Sequence, residues 1–221
     1  MSKEKKRLLG EEFHAVDVPS RLFFPALGLR INNFIDRITS SYRRSVGIGT
    51  EDAIHIYWKK ANLAQLEGDY EEAVFVLKRL IQLKPRDAEA YYVLGLNFEK
   101  MAQYEESAKC YQNTIKLEPE HADAYLRLGM ILSQIESNGE SIPYLERAIE
   151  LNPNNSEAHF RLGLAYDKTK DYESAVDSFE QAIKIDPWFA KAHKCLGFTY
   201  DSMGKHDESV ACFKKAIELE E

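Results

Sequence analysis

Along most of the chain the apolar side chains return every three or four residues, as on one face of a helix, rather than every second residue as on a strand. Phe160 and Leu164 stand one turn apart with Leu162 and Tyr166 flanking them, and Leu27, Ile31, Phe34, Ile35 and Ile38 trace a similar stripe nearer the N-terminus. A long period lies over this short one. Prolines fall at Pro85, Pro119, Pro153 and Pro187, and Leu-Gly pairs at Leu94-Gly95, Leu128-Gly129, Leu162-Gly163 and Leu196-Gly197, each comb evenly spaced and both with the same step. Two independent combs with one period mark an internal repeat. Breaks at Gly68-Asp69-Tyr70, Gln103-Tyr104 and Lys170-Asp171-Tyr172 divide the periods into two helices, and each proline sits just past the second, where it cannot continue the helix. The pattern predicts an all-α chain of paired helices in units 54–87, 88–121, 122–155, 156–189 and 190–221.

The slots within each unit carry more. The fourth reads His159, Leu162-Gly163, Tyr166, Ala175, Phe179, Ala182, Pro187; the second reads Tyr91, Leu94-Gly95, Phe98, Ser107, Tyr111, Thr114, Pro119. The third (Tyr125, Leu128-Gly129, Leu132, Ser141, Leu145, Ala148, Pro153) and fifth (His193, Leu196-Gly197, Tyr200, Ser209, Phe213, Ala216) follow suit, and the first is weaker, from Tyr57 through Ala61 and Leu77 to Pro85. This order of aromatic, Leu-Gly, Tyr, small, Phe, small, Pro resembles the tetratricopeptide repeat (TPR). The resemblance implies a right-handed TPR solenoid of about five helix-turn-helix repeats. The glycine lets the two helices of a unit approach closely, and units stack because one alone cannot bury both its faces. Such a fold offers an interaction surface and no deep closed cavity.

Charge sets the N-terminal part aside. Hydrophobic residues are 44% and charged residues 29% of the 221, an ordinary globular balance, and the net charge of −7 argues against general phosphate-backbone binding. Before Glu51, however, nine Lys and Arg face five Asp and Glu, a net of +4; from Glu51 onward 20 basic face 31 acidic side chains, a net of −11. Residues 1–53 therefore form a basic N-terminal segment with one amphipathic helix at about 29–44, approached at Pro25 and ended at Gly47-Ile48-Gly49, while residues 1–19 read as mobile. A charge asymmetry of this size suggests that one part binds the other. The longest apolar run, Leu22 to Leu29, is far short of the roughly 18 residues of a membrane span, and Glu11-Glu12 interrupt any signal-peptide core. Three cysteines without a CxxC fit a reducing compartment. The expected location is cytoplasmic.

Residues for chemistry are missing. There is no GxxxxGK[ST], HExxH, GxSxG or GxGxxG, and Gly47-Ile48-Gly49-Thr50 is a two-glycine loop. His159 and His193 occupy the aromatic slot of successive units, on the order of 10 Å apart, one helix spacing, which is too far to share a metal. Cys110 and Cys212 lie three repeats apart, and with Cys195 they read as small packing residues. The expectation is a protein that is no enzyme and takes no cofactor and no metal.

In TPR proteins a partner peptide usually lies in the concave face lined by the first helix of each unit, and the resemblance places this chain's candidate groove there. The residues after the Leu-Gly pair are Leu96, Met130, Leu164 and Phe198; those after the aromatic slot are Trp58, Tyr92, Leu126, Phe160 and Lys194. Asn62 alone keeps the asparagine common in the family at its position, Arg127 and Arg161 stand beside the groove, and Glu89, Asp123 and Glu157 run along a rim. Two readings are open. These side chains pack first helix on first helix, or they seat an apolar or amphipathic helix of a partner. Trp58, Val93, Asp123 and Glu157 stand where a chaperone-tail carboxylate clamp would need Lys, Asn or Arg, so that clamp is absent.

A narrower resemblance rests on the lead segment Leu27-Gly28-Leu29-Arg30-Ile31-Asn32-Asn33-Phe34, on Tyr57 with Gly68-Asp69-Tyr70, and on the ending from Tyr200 through Met203-Gly204-Lys205 to Glu208 with Phe213-Lys214-Lys215-Ala216. These are similar to the MamA family, magnetosome-associated TPR proteins of magnetotactic bacteria. The likeness implies a scaffold that self-assembles into a homo-oligomer, peripheral on the cytoplasmic side of the magnetosome vesicle membrane, and recruits other proteins there. It also implies that the N-terminal helix (Leu27, Ile31, Phe34, Ile35, Ile38) of one molecule docks in the groove of the next. A head-to-tail contact of that kind propagates, and the absence of a polar capping helix after the last unit is a second expected reason to associate. The alternative is a general TPR adaptor or chaperone-type peptide-binding module. No nucleic acid is expected as a partner, and membrane contact is expected only through partner proteins.

Overall fold

Among the residues that the computed structural model describes, 49–135 and 139–220, the chain forms ten α-helices: α1 Thr50–Glu67, α2 Tyr70–Leu83, α3 Ala88–Lys100, α4 Tyr104–Leu117, α5 Ala122–Ile135, α6 Ile142–Leu151, α7 Ser156–Thr169, α8 Tyr172–Ile185, α9 Ala190–Ser202 and α10 His206–Glu220. They pair as α1/α2 through α9/α10, five repeats of an all-α solenoid. The expected N-terminal helix at about 29–44, with Leu27, Ile31, Phe34, Ile35 and Ile38, and the stretch 1–19 lie outside the described residues. The first helix starts at Thr50, ahead of the repeat frame that begins at 54.

Local chemistry sets the boundaries. Asp69, Asp87, Asn155 and Asp171 each accept a hydrogen bond from the backbone N–H three residues on, which satisfies a donor the helix start leaves open. Between the two helices of a repeat the chain turns through the left-handed region at Gly68, Ala102, Lys170 and Gly204. Glycine occupies that region freely; Ala102 and Lys170 enter it at a steric cost.

Close approach within each pair depends on the second residue of the Leu-Gly comb. A Cβ at Gly95 would stand 2.7 Å from Tyr111, one at Gly129 2.7 Å from Leu145, and one at Gly163 2.6 Å from Phe179. The opposed large residue is fully buried in each case. The glycine and the Phe, Tyr or Leu opposite it on the second helix are thus one device. Cores then run across repeats: Leu126 and Leu145 of the third join Ala158 and Leu162 of the fourth, and Phe160 and Phe179 of the fourth join Ala192 and Leu196 of the fifth. Each helix packs on its neighbours in sequence, and first helices also meet first helices where α5 touches α7 and α7 touches α9. That last set of contacts carries the candidate face.

Candidate interaction face

The first helices α1, α3, α5, α7 and α9 bear every expected groove residue, and the structure sorts them into three kinds. Leu126 and Phe160 are buried; Phe160 stacks obliquely on Phe179 and Phe189, with ring centroids 5.9 and 4.8 Å away. Trp58, Tyr92, Leu96, Met130 and Leu164 are half-buried, and each leans on the core shared with a neighbouring helix pair. Leu96 packs against the cluster that holds Leu128 and Ile131, Met130 against the one that holds Leu162, and Leu164 against the one that holds Leu196. Asn62, Lys194 and Phe198 are exposed. The residue after Leu-Gly therefore packs towards the next repeat in the second, third and fourth repeats, and is exposed in the fifth.

Polar groups knit the same face. Glu99 on α3 accepts from the Tyr111 hydroxyl at 2.8 Å and from Arg127 Nη1 on α5 at 3.1 Å, which joins the second repeat to the third. Burial alone would lower the pKa of the Arg127 guanidinium, but the Glu99 carboxylate and the nearby tyrosines outweigh it and hold the pKa raised. Burial, helped by Glu99, raises the Tyr111 phenol strongly. Tyr92 lies against the His121 ring at 4.7 Å; burial and Asp123 raise its phenol while Arg127 pulls the other way. Arg161 pairs with Glu157 one turn back and lies over the Phe160 ring. Both arginines of the expected groove thus already have acidic partners.

Sequence reasoning missed Glu99, and also the ties Tyr166–Glu146 and Tyr200–Glu180, which bond at 2.8 and 2.9 Å. A signal existed. Each tyrosine follows its glutamate at the same interval, and the second pair sits one full repeat after the first.

The described residues contain no group of three or more His, Cys, Asp or Glu able to hold a metal. Cys110 is buried and its thiol is pushed up to about 12, far from a reactive thiolate. Open surface depressions lie at turns, one beside Gly68, Tyr70 and Met101 and another at Leu117–His121, where His121 lies against Tyr92. No described helix is long and apolar enough to cross a membrane.

Comparison with known proteins fits this geometry. Family profiles for the tetratricopeptide repeat match residues 88–121, 122–155, 156–189 and 190–221, and a TPR-repeat profile matches 66–101. The chain belongs to the tetratricopeptide-repeat family. Among solved structures it is similar to MamA from Desulfovibrio magneticus RS-1, with 28% identity and a TM-score of 0.74 over 78% of this chain and 97% of that one. A second MamA structure gives 29% and 0.73 over 77% and 93%. YrrB, described as a TPR protein with an unusual peptide-binding site, gives 25% and 0.69 over 81% and 91%. A search of curated protein sequences returns no match.

Proposed function

We propose that this chain is a non-enzymatic scaffold of the MamA kind, which assembles with copies of itself and recruits partner proteins at the cytoplasmic face of the magnetosome vesicle. The observation that carries the reading is the likeness to MamA across nearly the whole of those chains, with the same stacked helix pairs. The charge division supports it: a net of +4 before Glu51 faces a net of −11 after it, in favour of docking between the two parts. In this reading the segment bearing Leu27, Ile31, Phe34, Ile35 and Ile38 seats on the first-helix face of another copy, beside Tyr92, Arg127, Arg161, Lys194 and Phe198.

Light scattering behind size exclusion, on the full chain and on residues 51–221, tests this. A large assembly that collapses to a monomer on shortening is the expected result, and Phe34→Asp should disperse the full chain with its helicity unchanged. Assembly of unaltered size in both altered proteins would remove the N-terminal segment from the contact. A second reading, a general adaptor for foreign peptides, is favoured by the likeness to YrrB. It predicts a full chain that stays monomeric and binds an added peptide.

A further inference from the structure

The fixed period allows each repeat to be compared, position by position, with the other four, and the last repeat differs in what covers it. In α9 and α10 the side chains of Phe198, Val210 and Ile217 are 55%, 65% and 59% exposed. Their counterparts one repeat earlier, Leu164, Val176 and Ile183, are half-buried within the core shared with α9. The counterparts of Val210 in the first and second repeats, Val74 and Ala108, are buried outright. Residues of an internal repeat junction thus stand on an open face.

The first repeat shows the complementary pattern. Leu63 on α1 is 54% exposed, while Asn97, Ile131, Ala165 and Thr199 at the same position are buried. Ile56 is also exposed, where every later repeat has a buried alanine. One face is built like the downstream side of a junction and the other like its upstream side.

The register of charge decides what fits between them. Inside the solenoid, Glu99 takes the Arg127 guanidinium of the following repeat at 3.1 Å. The residue matching Glu99 in the fourth repeat, Asp167, accepts from Thr199 of the fifth at 2.9 Å, and Cys195 is the residue that matches Arg127. Carried three repeats further, Glu99 becomes Asp201; carried two repeats back, Arg127 becomes Lys59. Both are exposed. Asp201, whose Oδ1 takes His206 Nδ1 of its own repeat at 2.9 Å, lies at the downstream face and Lys59 at the upstream face, in the register that pairs the second repeat with the third.

We infer that the downstream face of α9/α10 docks on the α1 face of a second copy, so that solenoids join end to end with Asp201 against Lys59. Phe198, Val210 and Ile217 meet Leu63 and Ile56 in this contact. A head-to-tail joint of this kind is open and propagates. The inference rests on the self-assembly reading; its joint shares Phe198 with the face proposed for the N-terminal segment, while Asp201, Ile217 and Lys59 lie outside that face.

The test uses the full chain in sedimentation velocity over a concentration series at low ionic strength, where exposed pairs are least screened. Asp201→Lys and Lys59→Asp each place like charges at the joint and should weaken association roughly fivefold. Mixed in equal amounts, the two variants restore opposite charges at every alternate-copy joint and should regain wild-type association. Ile217→Asp, which forces a carboxylate into the contact, should weaken association about tenfold or more. Association equal to wild type in all three variants, with no gain on mixing, overturns this joint and leaves the N-terminal contact standing. A wild-type chain that is monomeric at every concentration overturns both.

Discussion

Removing the Glu99 carboxylate is the most direct test of what fixes the second repeat against the third. The Tyr111 ring is fully buried, and its hydroxyl donates to Glu99 Oε2. In Glu99→Ala that hydroxyl loses its acceptor inside the protein, which costs about 1–3 kcal/mol. The Arg127–Glu99 ion pair goes too, but its side chains are 38% and 25% exposed, so solvent screening holds its share below about 1 kcal/mol. The hydroxyl dominates, and the sum is about 2–3 kcal/mol. Glu99→Gln keeps an acceptor for Tyr111 and gives up only the charge, so it should cost less than about 1 kcal/mol. Tyr111→Phe removes the donor cleanly, at about 1 kcal/mol.

Chemical denaturation followed by far-ultraviolet circular dichroism measures these differences. For a solenoid of this length, a loss of about 2–3 kcal/mol corresponds to a fall in Tm of about 5–10 °C. The double variant Glu99→Ala/Tyr111→Phe should cost about 1 kcal/mol or more less than the sum of the single changes, because the second change removes the group that the first left unpaired. Equal costs for Glu99→Ala and Glu99→Gln, or strict additivity in the double variant, would refute the hydrogen bond as the tie. The consequence reaches the interaction face, since Arg127 and Tyr92 are held beside each other through this junction.

Other outcomes follow from single features. Gly163→Ala sets a Cβ 2.6 Å from Phe179; overpacking of about 1–3 kcal/mol should exceed the gain in helix propensity of about 1 kcal/mol, and Phe179→Leu in the same chain should relieve part of it in thermal melts. Lys170→Gly and Ala102→Gly remove side chains from the left-handed region and should each stabilise by about 0.5–1 kcal/mol, read as a higher denaturation midpoint. The Cys110 thiol is raised from 9.0 to about 12, so the folded state keeps a proton that the unfolded chain loses. Stability should be unaffected by this group below pH 9 and should fall by about 1.4 kcal/mol per pH unit above it, a decline that Cys110→Ala should lessen. Native alkylation followed by mass spectrometry should modify Cys195 and Cys212 well before the buried Cys110.

Much of this architecture was legible because its determinants are local or strictly periodic. Asp69 and Asp171 announce helix starts through their own side chains, and the Leu-Gly comb marks the points where helices of a pair touch. The ties between repeats were harder to see. Glu99, Tyr111 and Arg127 are 12 and 28 residues apart, distances that are neither helical periods nor the repeat length, and only stacking brings them together. The repeat also varies. In the third repeat Ser133 stands where Glu99 would be, so Arg161 turns to Glu157 on its own helix.

The groove residues show what a period leaves undetermined. Aligned repeats say that Leu96, Met130, Leu164 and Phe198 are equivalent, and equivalence fixes the direction a side chain leaves its helix. It does not fix what lies in that direction. For the first three, the next repeat supplies a core to lean on. Phe198 leaves α9 in the same direction and meets Phe213 of its own repeat, edge to face at 4.9 Å, with half of its surface in solvent. The same chemistry is therefore half-buried in the second, third and fourth repeats and exposed in the fifth. A peptide bound along the first helices must rely on the exposed positions, Asn62, Lys194 and Phe198, and on the half-covered rings of Trp58 and Tyr92, since Leu126 and Phe160 are committed to the fold. Substitutions that separate binding from folding belong at the exposed positions; Leu164→Asp, which puts a carboxylate against the buried cluster that holds Phe179 and Leu196, should unfold before it reports on any partner.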